Sequence, residues 1–403
     1  MNPIHHSIRR ACAVIIGLVF FVAGMLKLMD PVGAGLVVSE YLKFFGFGAL
    51  DILSGPVGAL LALLETLTGA ALVTGVFRKA AAICASALTG IFTAITFALW
   101  VLNPSMDCGC FGEAVHLTHF QSFAKNIILC VLSAAAFIPF RNYGMPARRK
   151  YVTFALIAAC SLFVLVRTAL LIPYTDFTPF NHSSRLAASV ESDPDGEDRY
   201  VATFIYEKNG QEGTFTLDRL PDSTWTYVRT ETMLRQDNIS ETDFPALSFT
   251  DGEGNDRDTL AASGLVMTVS VYRPAGLSEA SWHKVAEFLS AAEEAGFRPL
   301  LLVSGVFSEV EAMLPSDIAS ALSPRMYTSD YKTLISLNRS NGGVSYFNGG
   351  NLIQRWARRQ MPSSETLAKL KKKDSTDLLL SASTKGRLSA QAPFLYSFIL
   401  MLI

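Results

Sequence analysis

No cysteine follows Cys160 in this chain of 403 residues. The C-terminal part therefore has neither a disulfide framework nor thiol chemistry of its own, and an ordinary core must hold it, for which roughly 200 residues are ample. Carboxylates are scarce where cysteines are not. Residues 1–172 carry six Asp/Glu against twelve Lys/Arg, a net of +6, and the remainder nets −7. The total of −1 thus averages a membrane region and an acidic soluble region, and nothing in it points to a nucleic-acid partner. The N-terminal apolar run after Arg9 and Arg10 lacks a clear small-x-small cleavage site and continues to Lys27 and Asp30. It is expected to be an uncleaved anchor.

Long apolar runs lie near 11–29, 53–77, 79–102, 122–140 and 151–172. Each approaches or exceeds the ~20 residues needed to cross a bilayer, which predicts an α-helical transmembrane bundle of about five helices. Basic residues at Arg9/Arg10, at Arg78/Lys79 and at Arg141, Arg148, Arg149 and Lys150 mark every second connection as cytoplasmic. The N-terminus is then inside, and the loops 30–52 and 103–121, with everything after Pro173, are outside. In a bacterium this is a multi-pass inner-membrane protein with a periplasmic domain, in a compartment where thiols tend to be oxidised. The 30–52 loop interleaves Val37, Tyr41, Leu42, Phe44, Phe45 and Phe47 with Glu40 and Lys43, and is expected to lie along the membrane interface.

Two groups of residues carry candidate chemistry. Glu65 sits deep in the second span, where an acidic side chain costs on the order of 3 kcal/mol. Lys27, near the outer end of the first span, is its expected partner. The pair reads either as a proton-relay or quinone-site carboxylate, or as a structural ion pair that fixes helix packing. Arg167, late in the fifth span, is expected to snorkel outward. Gly17, Gly24, Gly55, Gly58, Gly69 and Gly75 let helices approach closely.

The second group is Cys108-Gly109-Cys110-Phe111-Gly112, in a short loop between apolar runs. A disulfide across one residue is strained, and strained exposed disulfides are labile, which suits exchange better than stapling. Alternatively each thiol pairs elsewhere, with Cys84 and Cys130 on neighbouring spans. A third reading adds His116 and His119 as C-x-C-x5-H-x2-H, four metal ligands whose spacing matches no strong zinc pattern. A fourth leaves the cysteines incidental to a structural loop.

Residues 1–140 resemble the DoxX/MauE-like membrane family. The likeness rests on Gly17-Leu18-Val19-Phe20 and Gly24-x-x-Lys27, on Glu65-x-x-x-Gly69, and on Cys108-Gly109-Cys110-Phe111-Gly112 followed by Lys125-Asn126. It covers about a third of the chain. MauE proteins are associated with methylamine utilisation, where they work with a thioredoxin-like partner in forming disulfides. The resemblance therefore implies thiol–disulfide exchange at Cys108 and Cys110. The bundle is also similar to vitamin K epoxide reductase-type enzymes, which implies a quinone as electron acceptor near Glu65.

Beyond the fifth span (141–173 with its basic flank), residues 174–240 read as a linker and β-hairpin subdomain. Tyr200–Tyr206 and Thr214–Leu217 alternate around Asn209-Gly210, a hairpin signal with a connection longer than two residues. From 241 to 362 the expected order is strand 265–272, helix 278–295, strand 299–303, helices 307–314 and 331–337, then short strands 343–347 and 352–356 around Asn348-Gly349-Gly350. Trp282, Val285 and Leu289 should share the buried face of the first helix. This predicts an α/β domain with a mixed sheet. The order resembles the thioredoxin-like fold, as in a Bacteroidetes group that fuses a DoxX/MauE-like bundle to such a domain. Where a thioredoxin carries C-x-x-C, this chain has Pro274-Ala275-Gly276-Leu277-Ser278, so a binding or positioning role is expected. His283 reads as a surface histidine with no partner. Residues 363–403 combine Lys371-Lys372-Lys373 with an apolar end, Pro393–Ile403, expected to be a membrane anchor or the start of a further span.

Two functional classes follow. The first is a thiol–disulfide or electron-transfer component that meets an envelope protein through the cysteine loop. The second is a non-enzymatic membrane scaffold or assembly factor with incidental cysteines. A transporter is disfavoured by the lack of a repeat or broken-helix signature.

Overall fold

The computed structural model describes residues 3–104, 106, 108–113, 115, 117–138, 146–173, 177–180, 184–186, 200–208, 211–215, 225–234, 245–373, 378, 392 and 395–399. Among them five helical stretches are long and apolar enough to cross a membrane: Ser7–Met29, Gly48–Thr74, Arg78–Leu102, His119–Phe137 and Arg148–Leu170. In chain order the membrane region comprises α1 (Pro3–Met29), α2 (Pro31–Phe44), a 3-10 turn at Gly48–Leu53, α3 (Ser54–Thr74), α4 (Arg78–Leu102), the extended segment β1 (Cys110–Glu113), α5 (His119–Phe137) and α6 (Arg148–Leu170).

The stretch expected to be an interfacial loop is a helix over most of its length. Asp30 caps α2 by accepting from the Gly33 amide at 3.0 Å, and Pro31 opens the first turn. Small residues bring the helices together: a Cβ on Gly69 would press on the backbone of Phe21, so α1 and α3 cross at backbone distance only because position 69 is glycine. At the end away from the cysteines, arginines satisfy open carbonyls. Arg10 donates to Leu72 O and Val73 O, Arg9 to Ala136 O, and Arg78 to Gly75 O, each near the end of a helix where cations are favoured. At the opposite end Trp100 stacks on Phe123 at 5.3 Å beside Phe120, a cluster of the kind that sits at headgroup level. Thr168 Oγ1 donates to Leu28 O at 2.9 Å and ties α6 to α1, and Arg167 donates to Ile172 O at 3.2 Å, just past the end of α6.

The C-terminal part opens with β2 (Tyr200–Lys208), β3 (Gln211–Phe215) and β4 (Thr226–Leu234), an antiparallel sheet in the order β3-β2-β4. Lys208 pairs with Gln211, so the connection is two residues and not longer; Asn209 and Gly210 themselves lie outside the described residues. There follow β5 (Phe249–Thr250), α7 (Thr259–Ala262), β6 (Leu265–Val271), α8 (Glu279–Glu294), β7 (Arg298–Val303), α9 (Phe307–Ala312), α10 (Ala319–Leu322), β8 (Met326–Ser329), α11 (Tyr331–Leu337), β9 (Gly343–Asn348), β10 (Asn351–Trp356) and α12 (Ser364–Lys372). They build a mixed six-stranded sheet, β10-β9-β6-β7-β8-β5, in which β6, β7 and β8 are parallel.

The central strands are buried on both faces, which is why they read as near-continuous apolar runs. Met267, Val269 and Val271 face α8 and α12, where Trp282, Val285, Leu289, Leu367 and Leu370 close one layer. Val266, Leu300, Leu302 and Phe347 face α11, with Leu334, Ile335 and Leu337 in the other. Asn338 pins the terminal hairpin, its Nδ2 donating to Val344 O at 3.0 Å and Trp356 O at 3.2 Å. His283 is not without a partner: its Nε2 lies 3.4 Å from Asp317 Oδ2 on the half-exposed surface. Part of the apolar chain end is described, and Ser397 Oγ lies 3.4 Å from Cys160 Sγ with Phe398 against the bundle core.

Tyr272 directly follows β6, its hydroxyl donating to Arg339 O at 2.9 Å. Burial, and then the neighbouring Tyr331, push its phenol up to about 12. Because the fold favours the protonated form, this contribution is complete below the ordinary tyrosine range near pH 10 and is lost as pH rises toward 12. Ultraviolet titration in detergent should show a late phenolate that Tyr272→Phe removes. Gly69→Val should lower the stability of the bundle by about 1–3 kcal/mol in denaturant titration, the usual cost of overpacking.

Candidate functional site

The cysteine loop is set from two sides. At one end a capping box starts α5: Thr118 Oγ1 accepts from the Gln121 amide at 3.2 Å, and Gln121 Oε1 from the Thr118 amide at 3.0 Å. That places His119 on the first helical position. Its Nε2 lies 3.0 Å from Pro104 O, and since a carbonyl only accepts, Nε2 carries a proton. Nδ1 is left facing Cys108 Sγ at 2.9 Å. The pair therefore exists as thiol with neutral imidazole or as thiolate with imidazolium, and one proton moving along a single contact interconverts them.

On the other side stands α2. Gly109 has φ +56°, and a Cβ there would collide with Val37, so glycine both permits the left-handed turn and lets α2 lie against the loop. Tyr41 donates its hydroxyl to Cys108 O. Cys108 is 3% exposed, while Cys110 is half-buried. Among the described residues the six cysteines form no disulfide with one another. Cys84 and Cys130 meet hydroxyls, Thr68 Oγ1 at 3.2 Å and Thr93 Oγ1 at 3.3 Å, rather than the cysteine loop.

Glu65 is fully buried, and Lys27 Nζ sits 2.7 Å and 2.9 Å from its two carboxylate oxygens. The ion pair thus forms between α1 and α3, and the Lys27 ammonium also lies 5.6 Å from the Phe92 ring centre. Both cysteines and this pair line one cavity of about 110 Å³, walled by Val19, Phe20, Val38, Leu61, Ile95 and Leu129. Lys125 lines it too, its ammonium 4.8 Å from the Phe111 ring, as does Asn126, which donates to Thr96 Oγ1 at 3.1 Å. Among the described residues the ionisable side chains that line the cavity are Lys27, Lys125 and Glu65, set in an apolar surround. Ammonium groups in an apolar surround favour an anion placed beside them.

The residues singled out from sequence converge in part. Cys108, Cys110, Lys27 and Glu65 share the cavity. His119 joins Cys108, whereas His116 lies outside the described residues. Among the described residues no cluster of three or more His, Cys, Asp or Glu forms a metal site. Sequence reasoning missed Tyr41, Val37 and the pairing of Cys108 with His119. The signals were the Thr118-x-x-Gln121 capping box and the Asp30-Pro31 helix start.

No curated protein and no solved structure matches the chain. Residues 200–237, which contain the three-stranded sheet, match a domain of unknown function (DUF8463). Residues 6–139, which include the described residues that line the cavity, match the family model of methylamine utilisation protein MauE, so this third of the chain is similar to that family.

Proposed function

We propose that this protein is a bacterial inner-membrane component of envelope thiol–disulfide exchange, with Cys108 and Cys110 as its redox pair. The observation that carries this reading is the contact of 2.9 Å between Cys108 Sγ and His119 Nδ1 in a cavity that Cys110 also lines. The thiolate is the reactive form of cysteine, and an imidazole in hydrogen-bond reach is the base that generates it. In the oxidised protein a partner thiolate attacks Cys110 Sγ, the more exposed sulfur of a Cys108–Cys110 disulfide. Cys108 leaves as thiolate and takes its proton from the His119 imidazolium. The partner's second thiolate then displaces Cys110, so the partner departs with a disulfide and both cysteines are reduced. A quinone in the apolar cavity suits the return step, accepting two electrons and two protons as the Cys108–Cys110 bond re-forms.

The C-terminal domain receives the partner. Its strand order β10-β9-β6-β7, with the β6–α8–β7 crossover and a helix after the terminal hairpin, supports a thioredoxin-like domain. Pro274–Ser278 stands where such a domain would carry its thiols, which supports binding over exchange. The arginines at the opposite end of the bundle support a periplasmic placement of cavity and domain.

In cells relying on the Cys108→Ser/Cys110→Ser protein, oxidised envelope thiols should fall relative to wild type; equal oxidation would falsify the proposal. His119→Ala should keep both thiols but slow their exchange with a model disulfide by about 10²-fold, the usual contribution of a positioned base.

A further inference from the structure

Helix α2 has two working faces. Val32 and Leu36, one helical turn apart, pack into the apolar layer of the C-terminal domain formed by Leu334, Ile335 and Leu337. Ala34, Val37, Val38 and Tyr41, on the other side, line the cysteine cavity. Two ion pairs fasten the first face. Arg339 Nη2 donates to Asp30 Oδ2 at 2.8 Å, with the side chains only 3% and 4% exposed, and Lys332 Nζ reaches Glu40 Oε1 at 2.7 Å on the rim. Lys332 lies at the start of α11 and Arg339 just past its end, while Glu40 and Asp30 lie in the reverse order along α2. The two helices are thus clamped antiparallel at both ends. The Tyr272 hydroxyl holds the Arg339 carbonyl and ties the buried clamp to the sheet.

We propose that Arg339 is a positioning residue for the cysteine loop, acting through Asp30 and α2, so that the C-terminal domain sets access to Cys108 and Cys110. The path is continuous: Arg339 to Asp30 at the start of α2, then Val37 against Gly109 and Tyr41 on the Cys108 carbonyl. A buried ion pair suits such a clamp, because separating it strands a charge in an apolar contact. A protein that binds the domain and shifts α11 would shift the cover of the reactive sulfurs. The inference draws its significance from the redox reading above, but its test measures chemical access and not turnover.

The full-length protein in membrane vesicles is labelled with a water-soluble maleimide, and the rate at Cys110 is compared with those at Cys12, Cys84 and Cys160. Arg339→Gln should raise the Cys110 rate about tenfold, equivalent to about 1.4 kcal/mol of lost closure. Arg339→Lys should restore most of the wild-type rate. Lys332→Glu sets two carboxylates against each other on the exposed rim, leaves the buried pair intact, and should produce a smaller rise confined to the same loop. Unchanged labelling in both Arg339→Gln and Lys332→Glu overturns the inference, as does a rise shared equally by the four cysteines, which reports loosening of the whole bundle. Permanently reduced thiols in untreated cells would count against the redox reading alone.

Discussion

A charged pair in an apolar bundle is the constraint around which this membrane region is arranged. Glu65 is fully buried in α3, and Lys27 of α1, bonded to both carboxylate oxygens, offsets the cost of placing a carboxylate there. For the two side chains to meet, α1 and α3 must cross in near backbone contact, which explains glycine at position 69. The same pair forms part of the wall of the cavity that contains the two cysteines. Helix packing and the wall of the cavity therefore depend on one interaction.

Helix α2 extends that arrangement outward. It lies between the cavity and the C-terminal domain and contacts both, so the cysteine loop and the domain occupy the same end of the bundle. On the redox reading proposed above the domain's contribution is placement, through a sheet whose two helical layers are filled and whose α11 layer continues onto Val32 and Leu36.

The five spans were legible because length and apolarity suffice to identify a membrane helix, and the expected and observed ranges differ only at the ends. The β6–α8–β7 unit was legible from continuous apolar strands and from the spacing of Trp282, Val285 and Leu289. β5 and β8 were not, since two and four residues are too short to show a period. Helix α2 was obscured because its aromatic and aliphatic residues serve two faces, which blurs the one-sided pattern of an amphipathic helix. At the site, Lys27 with Glu65 could be paired by charge and topology. Cys108 with His119 could not, because that contact depends on the path of the chain from 104 to 119 and on which imidazole nitrogen faces the sulfur.

The central claim is that Cys108 and Cys110 cycle between dithiol and disulfide, and the direct measurement is their thiol state in intact membranes. Free thiols are trapped with a mass-tagged maleimide before and after reduction, and residues 108 and 110 are located by peptide mass spectrometry. The account predicts a reversible Cys108–Cys110 disulfide in part of the population, together with a mixed disulfide to a second protein when acid quenching is fast. Two thiols that remain free under oxidising conditions would contradict it and leave the cavity as the packed interior of a scaffold.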